Sequence, residues 1–172
     1  WGGGIIEKRL FYELCDRYGI MVWQEFPLTG SGGDCVPASD AEFLAELRRM
    51  AEAVVPARRN YACHAIWCGG NELKWTGEED PAMRTMHEGC NALDPEKPFV
   101  STSPLWTGLQ DEPVEIDIHG HWWHQGLRDH YTMYNTRVPA FHSEFGAEGA
   151  ANFENVERFI HDAKLWPVNL RN

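Results

Sequence analysis

No run of about 18 consecutive apolar residues occurs, which excludes an α-helical membrane span. No leader with a basic start and an apolar core is visible. The chain opens at Trp1 with no initiator methionine, so we expect it to be a piece of something longer. Basic residues are scarce: 15 Lys and Arg stand against 26 Asp and Glu, for a net charge of −11. That deficit argues against nucleic acid or an anionic membrane as a partner and suits a neutral or cationic ligand better. There are only five cysteines, Cys15, Cys35, Cys63, Cys68 and Cys90, with no CxxC among them. An odd number, with Cys15, Cys63 and Cys68 in apolar sequence, reads as thiols rather than a disulfide framework, and gives no sign of an oxidising compartment. Internal repeats and low-complexity tracts are absent too. We expect a soluble chain whose compartment the sequence leaves open.

What is present is the substance of one domain: 172 residues, 43% of them hydrophobic. Eight tryptophans are a high number for this length, and two readings of them stand side by side. Indole faces fill cores, and they also form flat platforms for the C–H face of a pyranose.

Periodicity predicts a helix over residues 5–18, with Ile6, Leu10, Phe11, Leu14 and Tyr18 on one stripe and Gly19 as the stop. Ile20 to Phe26 reads as a buried strand, and the Gly- and Pro-rich stretch from Pro27 to Ala38 as a loop. Ser39-Asp40-Ala41-Glu42 carries a capping-box signature for a helix along Phe43, Leu44, Leu47, Met50, Val54 and Val55, which Pro56 should end or kink. Ala65 to Cys68 is a strand, and Asp80-Pro81 opens a helix to about Leu93. Phe99 to Ser101, Ile116 to Trp123 and Val138 to Glu144 are further strands, and Asn152 caps a helix along Phe153, Val156, Phe159 and Ile160. Continuous apolar strands alternating with helices predict an α/β fold with a parallel sheet.

Two glutamates stand out in this layout. Glu72 ends Ala65-Ile66-Trp67-Cys68-Gly69-Gly70-Asn71-Glu72, and Glu144 lies in Ala140-Phe141-His142-Ser143-Glu144-Phe145-Gly146. Paired carboxylates at buried strand ends are what retaining glycoside hydrolysis uses, one protonating the leaving oxygen and one attacking the anomeric carbon. Strand-end glutamates paired with arginines are the structural alternative. His142 sits two residues before Glu144, on the same strand face, where it lines a pocket or satisfies a carbonyl. His119, His121 and His124 have a spacing that a zinc site can use, but it needs a further ligand from elsewhere. We expect no metal and no other cofactor.

Together these segments resemble a known family. Trp1-Gly2-Gly3-Gly4, Phe11-Tyr12-Glu13-Leu14-Cys15-Asp16, Gly19-Ile20-Met21-Val22-Trp23-Gln24-Glu25-Phe26, Trp67 to Glu72 and Ser143-Glu144-Phe145-Gly146 resemble, in order and spacing, the catalytic barrel of glycoside hydrolase family 2, its β-mannosidase-like members above all. The resemblance spans nearly the whole chain. It implies an incomplete (β/α)₈ TIM barrel, from the end of barrel strand two through strand seven and the following helix. Residues 1–172 are then a partial catalytic domain, with barrel strands one and eight and the flanking β-sandwich domains absent from it.

By that resemblance Glu72 is the general acid/base and Glu144 the nucleophile. Asn71 binds the substrate 2-hydroxyl, Trp1 is an active-site tryptophan, and the segment Asp117 to Trp123, with His119, Trp122 and Trp123, lines the glycone pocket together with His142. Three departures are visible: Trp122 stands where many relatives carry tyrosine, Gly70 where they often have asparagine, and Glu25 in place of a common aspartate. The implied function is a retaining exo-β-glycosidase acting on terminal β-linked sugars, with β-mannosides first. β-Galactosidase, β-glucuronidase or exo-glucosaminidase specificity, or an inactive sugar-binding fragment, are the alternatives. The expected partners are a carbohydrate substrate and the remainder of the parent polypeptide, with no nucleic acid and no membrane.

Overall fold

The computed structural model describes residues 2–30, 34–74, 80–105, 115–120, 124–136, 141–146, 149 and 151–160. The chain folds as two compact units. The first holds Trp1–Asp117 and Arg137–Glu144, the second Ile118–Thr136 and Phe145–Asn172.

In the first unit three strands, β1 (Val22–Glu25), β2 (His64–Cys68) and β3 (Phe99–Val100), form a parallel sheet in the order β1-β2-β3. Helices α1 (Arg9–Tyr18), α2 (Ala41–Arg58) and α3 (Pro81–Leu93) complete it. Parallel neighbours need a crossover, and α2 and α3 supply the two crossovers here. Their packed faces make the main core with the sheet: Phe26, Leu47, Ala51, Val55, Trp67, Leu73, Met83 and Met86 are all buried. The two helices approach closely where Gly89 faces Ala51; a Cβ on Gly89 would lie 2.9 Å from that of Ala51.

Local chemistry sets the helix ends. Asp80 caps α3 by accepting from the Met83 N–H at 2.9 Å, with Pro81 in the first turn where no donor is needed. In α2 the cap is Asp40 rather than Ser39, accepting from the Phe43 N–H at 3.0 Å. A carboxylate is the equal of a hydroxyl as a cap and adds charge that favours the helix N-terminus. Pro56 does not end α2, which continues to Arg58. A proline this near the end removes one bond only, and the Arg59 N–H still reaches the Val55 carbonyl at 2.9 Å.

The first helix differs most from the periodic reading. It begins at Arg9, after extended residues, and its buried side chains are Tyr12 and Cys15, while Leu10 and Tyr18 are 61% and 66% exposed. Ile6 packs against the main core from outside the helix. The Tyr12 hydroxyl donates to buried Gln24, its ring stacks on Tyr61 with centroids 5.1 Å apart, and the Arg58 guanidinium lies 5.0 Å from its centroid. This polar and aromatic cluster, not the aliphatic stripe, orients α1.

The cysteines are thiols, none of them in a disulfide. Burial pushes the Cys63 and Cys90 thiols up to about 12, which leaves both inert.

His64 is buried on the edge of Trp67, ring centroids 3.9 Å apart, with Nε2 3.2 Å from the Ile66 carbonyl and Nδ1 without a partner. Burial pushes its pKa down to about 4, because the charged ring loses its hydration there, and the nearby Lys97 charge acts in the same direction. The folded value lies below the ordinary value near 6.5. The contribution is therefore complete above pH ~6.5 and lost as pH falls towards ~4, up to about 3 kcal/mol. His64→Phe should flatten the dependence of unfolding free energy on pH in that window. An unchanged slope would show that the ring is protonated without penalty.

Strands β4 (Glu115–His119) and β5 (Phe141–Gly146) pair in a separate two-stranded sheet. In the second unit α4 (Leu127–Thr136) is a helix with no counterpart in the periodic reading, because its polar sequence buries only Met133. Gly146 closes β5 at φ 106°; its N–H donates to the Tyr134 hydroxyl at 2.9 Å, and its carbonyl accepts from the Gly120 N–H at 2.9 Å. The last helix, α5 (Phe153–Val156), is one turn after Asn152, whose side chain makes no capping bond, and turns follow it to Ile160, where a longer helix is expected. No described helix is long and apolar enough to cross a membrane.

Candidate active site

The parallel ladder does not stop at Cys68. Beyond the carboxyl end of β2, Asn71 is bridged to Thr29 on one side and Ser103 on the other. The Asn71 N–H donates to the Leu28 carbonyl at 2.8 Å, its carbonyl accepts from the Gly30 N–H at 2.8 Å, and the Ser103 N–H reaches the Gly70 carbonyl at 3.1 Å. Glycines at 69 and 70 allow this. A Cβ on Gly70 would lie 2.7 Å from the Leu28 carbonyl oxygen, and one on Gly69 would strike the backbone of Ser101. Asn71 is thus locked between the ends of β1 and β3.

Glu72 comes next, half-buried, at φ 51°. A left-handed conformation in a residue with a Cβ costs on the order of 1–3 kcal/mol and persists only where the surroundings impose it. Here the Glu72 N–H donates to the Ser103 carbonyl at 2.6 Å, and the next N–H, of Leu73, donates to the buried Thr102 hydroxyl at 2.9 Å. The chain turns sharply at Glu72, four residues beyond β2, and leaves its carboxylate at the carboxyl end of the sheet.

Asn71 is 5% exposed, its Nδ2 lies 3.5 Å from the Thr29 hydroxyl, and its Oδ1 is buried with no partner. A buried amide oxygen left in this state is costly unless something else supplies a donor. Over it runs the amino-terminal Gly2-Gly3 turn, tied down by Glu25, whose Oε2 accepts from the Gly3 N–H at 2.7 Å. Glu25 itself is buried at the end of β1.

Glu144 lies within β5 rather than at its end, half-buried, in the same compact unit as Glu72. His142 is half-buried on the same face of the strand as Glu144. The opposite face carries Phe141, whose ring meets that of Trp23 on β1 edge-on, centroids 5.9 Å apart. His119 is the last residue of β4 and half-buried. Trp1, Trp122 and Trp123 lie outside the described residues, as does His121. Among the described residues no group of three His, Cys, Asp or Glu side chains is placed to hold a metal. His124 instead accepts from the Gly126 N–H at 3.4 Å, its ring 5.1 Å from that of His130.

The sequence reading missed Thr29, Thr102 and Ser103, which lock Asn71 and Glu72 in place. The signal available was the cluster of small hydroxyl residues, Ser101-Thr102-Ser103, directly after a strand.

A model of the family described as glycosyl hydrolases family 2, TIM barrel domain, matches residues 7–159. The chain is 30% identical to β-mannosidase B of Thermothelomyces thermophilus, over 93% of this chain and 21% of that protein. It is 27% identical to β-mannosidase B of Emericella nidulans, over 97% of this chain and 22% of that one. The crystal structure of a β-D-mannosidase from Dictyoglomus thermophilum superposes with a TM-score of 0.74 at 32% identity, covering 95% of this chain and 21% of that one. A Bacteroides uniformis β-glucuronidase shares the fold at a TM-score of 0.58 and 22% identity, over 87% of this chain and 20% of that one. The chain thus spans about a fifth of the length of the curated relatives it matches.

Proposed function

We propose, since this chain belongs to the family 2 glycosyl hydrolases, that it is the central part of the catalytic barrel of a retaining exo-β-glycosidase acting on β-mannosides. The observation that carries the reading is Glu72, held in a left-handed conformation four residues beyond β2 and locked to the Ser103 carbonyl. Strained residues of this kind gather at active sites, and the carboxyl end of a parallel barrel sheet is where such sites lie.

In the first half-reaction the Glu144 carboxylate attacks the anomeric carbon while the Glu72 carboxyl gives its proton to the departing glycosidic oxygen. The glycosyl ester formed at Glu144 has lost its negative charge. Glu72, now ionised, takes a proton from water; the resulting hydroxide attacks the same carbon and frees Glu144. Two inversions give net retention. The buried, unpartnered Oδ1 of Asn71 suits a donor from the sugar 2-hydroxyl, and this contact strengthens as positive charge builds on the ring. His119, His142, Trp1, Trp122 and Trp123 are assigned to the walls of the glycone pocket.

In this reading β1, β2, β3, β4 and β5 are barrel strands three to seven, and Trp1 to Gly4 ends strand two. The exposed apolar side chains of Leu10, Leu14, Tyr18, Ile20 and Met21 support a barrel continued by the rest of a parent polypeptide, because they are the faces that neighbouring elements would cover. Mannoside is favoured over galactoside and glucuronide by the β-mannosidase relatives at 30% and 32% identity.

The test is the stereochemistry and sugar preference of the complete polypeptide. Nuclear magnetic resonance of an aryl β-mannoside digest should show the β-anomer of mannose before mutarotation. The α-anomer first would mean inversion and would remove Glu144 as nucleophile. Faster cleavage of the aryl β-galactoside or β-glucuronide would overturn the substrate assignment alone.

A further inference from the structure

The Gly2-Gly3 turn reaches the site by a route that the catalytic assignment does not use. Gly3 is in the left-handed region at φ 62°, pinned by its N–H to Glu25 Oε2 at 2.7 Å. A Cβ there would lie 2.7 Å from Thr29 Cβ and 2.8 Å from the Leu28 carbonyl oxygen, the same oxygen that accepts from the Asn71 N–H. Gly2 is a different case. Its φ is outside the left-handed region, so its backbone accepts a side chain. The three atoms nearest a Cβ at Gly2 all belong to the Asn71 carboxamide: Cγ and Nδ2 at 2.8 Å and Oδ1 at 2.9 Å.

A methyl at residue 2 therefore cannot coexist with the present amide position. What yields is the amide, because among the described residues its one hydrogen bond is the 3.5 Å contact to Thr29 and its oxygen has no partner, whereas the Asn71 backbone N–H and carbonyl are bonded to Leu28 and Gly30. We propose that Gly2, anchored through Gly3 to the Glu25 carboxylate, is a positioning residue that sets the Asn71 carboxamide for the sugar 2-hydroxyl. This rests on the reading of Asn71 given above. The absence of a side chain at residue 2 leaves room for the amide at its present position, its oxygen unspent until substrate arrives. Glycine is required there for space, not for backbone freedom.

The experiment compares kcat/KM of the complete polypeptide for an aryl β-mannoside and for the 2-deoxy analogue, in the parent protein, Gly2→Ala, Asn71→Ala and the double variant. Gly2→Ala should lower the value for the mannoside about tenfold and for the 2-deoxy sugar by less than about threefold, since only the first engages the displaced amide. In the Asn71→Ala background the same change should have no further effect, as expected of two residues acting through one contact. Activity on the 2-deoxy sugar also reports that each variant is folded. Equal losses on both sugars, or additive losses in the double variant, would overturn the proposal and make Gly2 a packing residue. If Asn71→Ala leaves the preference for the 2-hydroxyl intact, the assignment of Asn71 itself falls, whatever Gly2→Ala does.

Discussion

Glu144→Gln in the complete polypeptide is expected to lower kcat on an aryl β-mannoside by more than about four orders of magnitude with little change in fold. The amide nearly matches the carboxylate in size but is no nucleophile, so the glycosyl ester cannot form. Changes at Glu72 should have a different signature. Glu72→Ala removes the proton donor, at a cost of roughly 10²–10⁴ for leaving groups that need protonation. A dinitrophenolate leaves without that help, so glycosylation of Glu144 by its glycoside should survive and the intermediate should accumulate. Azide, an anion that needs no general base, should then release it as the β-mannosyl azide. Full turnover in Glu144→Gln, or a loss in Glu72→Ala that is the same for good and poor leaving groups, would end the assignment of these roles.

The backbone at Glu72 adds a test that does not depend on activity. At φ 51° any residue with a Cβ is strained and glycine is not. Glu72→Gly should therefore be more stable than Glu72→Ala by about 1 kcal/mol. Equal stabilities would mean that the turn relaxes once the carboxylate is gone, and that the left-handed conformation belongs to the side chain's own contacts.

The second large effect lies in the core. Trp67 is fully buried, stacks on Phe26 with centroids 5.7 Å apart, and donates from Nε1 to Asp94 Oδ2 at 2.9 Å. Asp94, 8% exposed, has Lys97 Nζ 3.4 Å away. Trp67→Ala opens a large cavity and strips a nearly buried carboxylate of one donor, so a loss of about 3–5 kcal/mol is expected, enough to deplete folded protein. Trp67→Phe keeps much of the ring and loses the donor, and should cost less, about 1–2 kcal/mol. Urea denaturation of both variants separates packing from hydrogen bonding. Equal midpoints would show that the ring contributes nothing beyond its N–H.

Much of this chain is legible in its sequence because the signals are local. Asp80-Pro81 announces a helix start whatever surrounds it, since the cap bond to Met83 is made three residues away. His64 to Cys68 is largely buried, so its apolar run needs no partner to be recognised. The order of Gly69-Gly70-Asn71-Glu72 and Ser143-Glu144-Phe145-Gly146 is enough to bring out the family. Other features are decided only in three dimensions. The apolar stripe of α1 is exposed and Tyr12 buried because Gln24, Tyr61 and Arg58, all distant in sequence, gather around the phenol. Helix α4, with one buried side chain, has no stripe to read. The left-handed turn at Glu72 is imposed by the Ser103 carbonyl and the Thr102 hydroxyl across the sheet, and the Asn71 amide is set against Gly2 from the far end of the unit's chain. Which family the chain belongs to is written in residue types and order; the strain at Glu72 and the crowding at Asn71 come from contacts tens of residues apart, which no local pattern encodes.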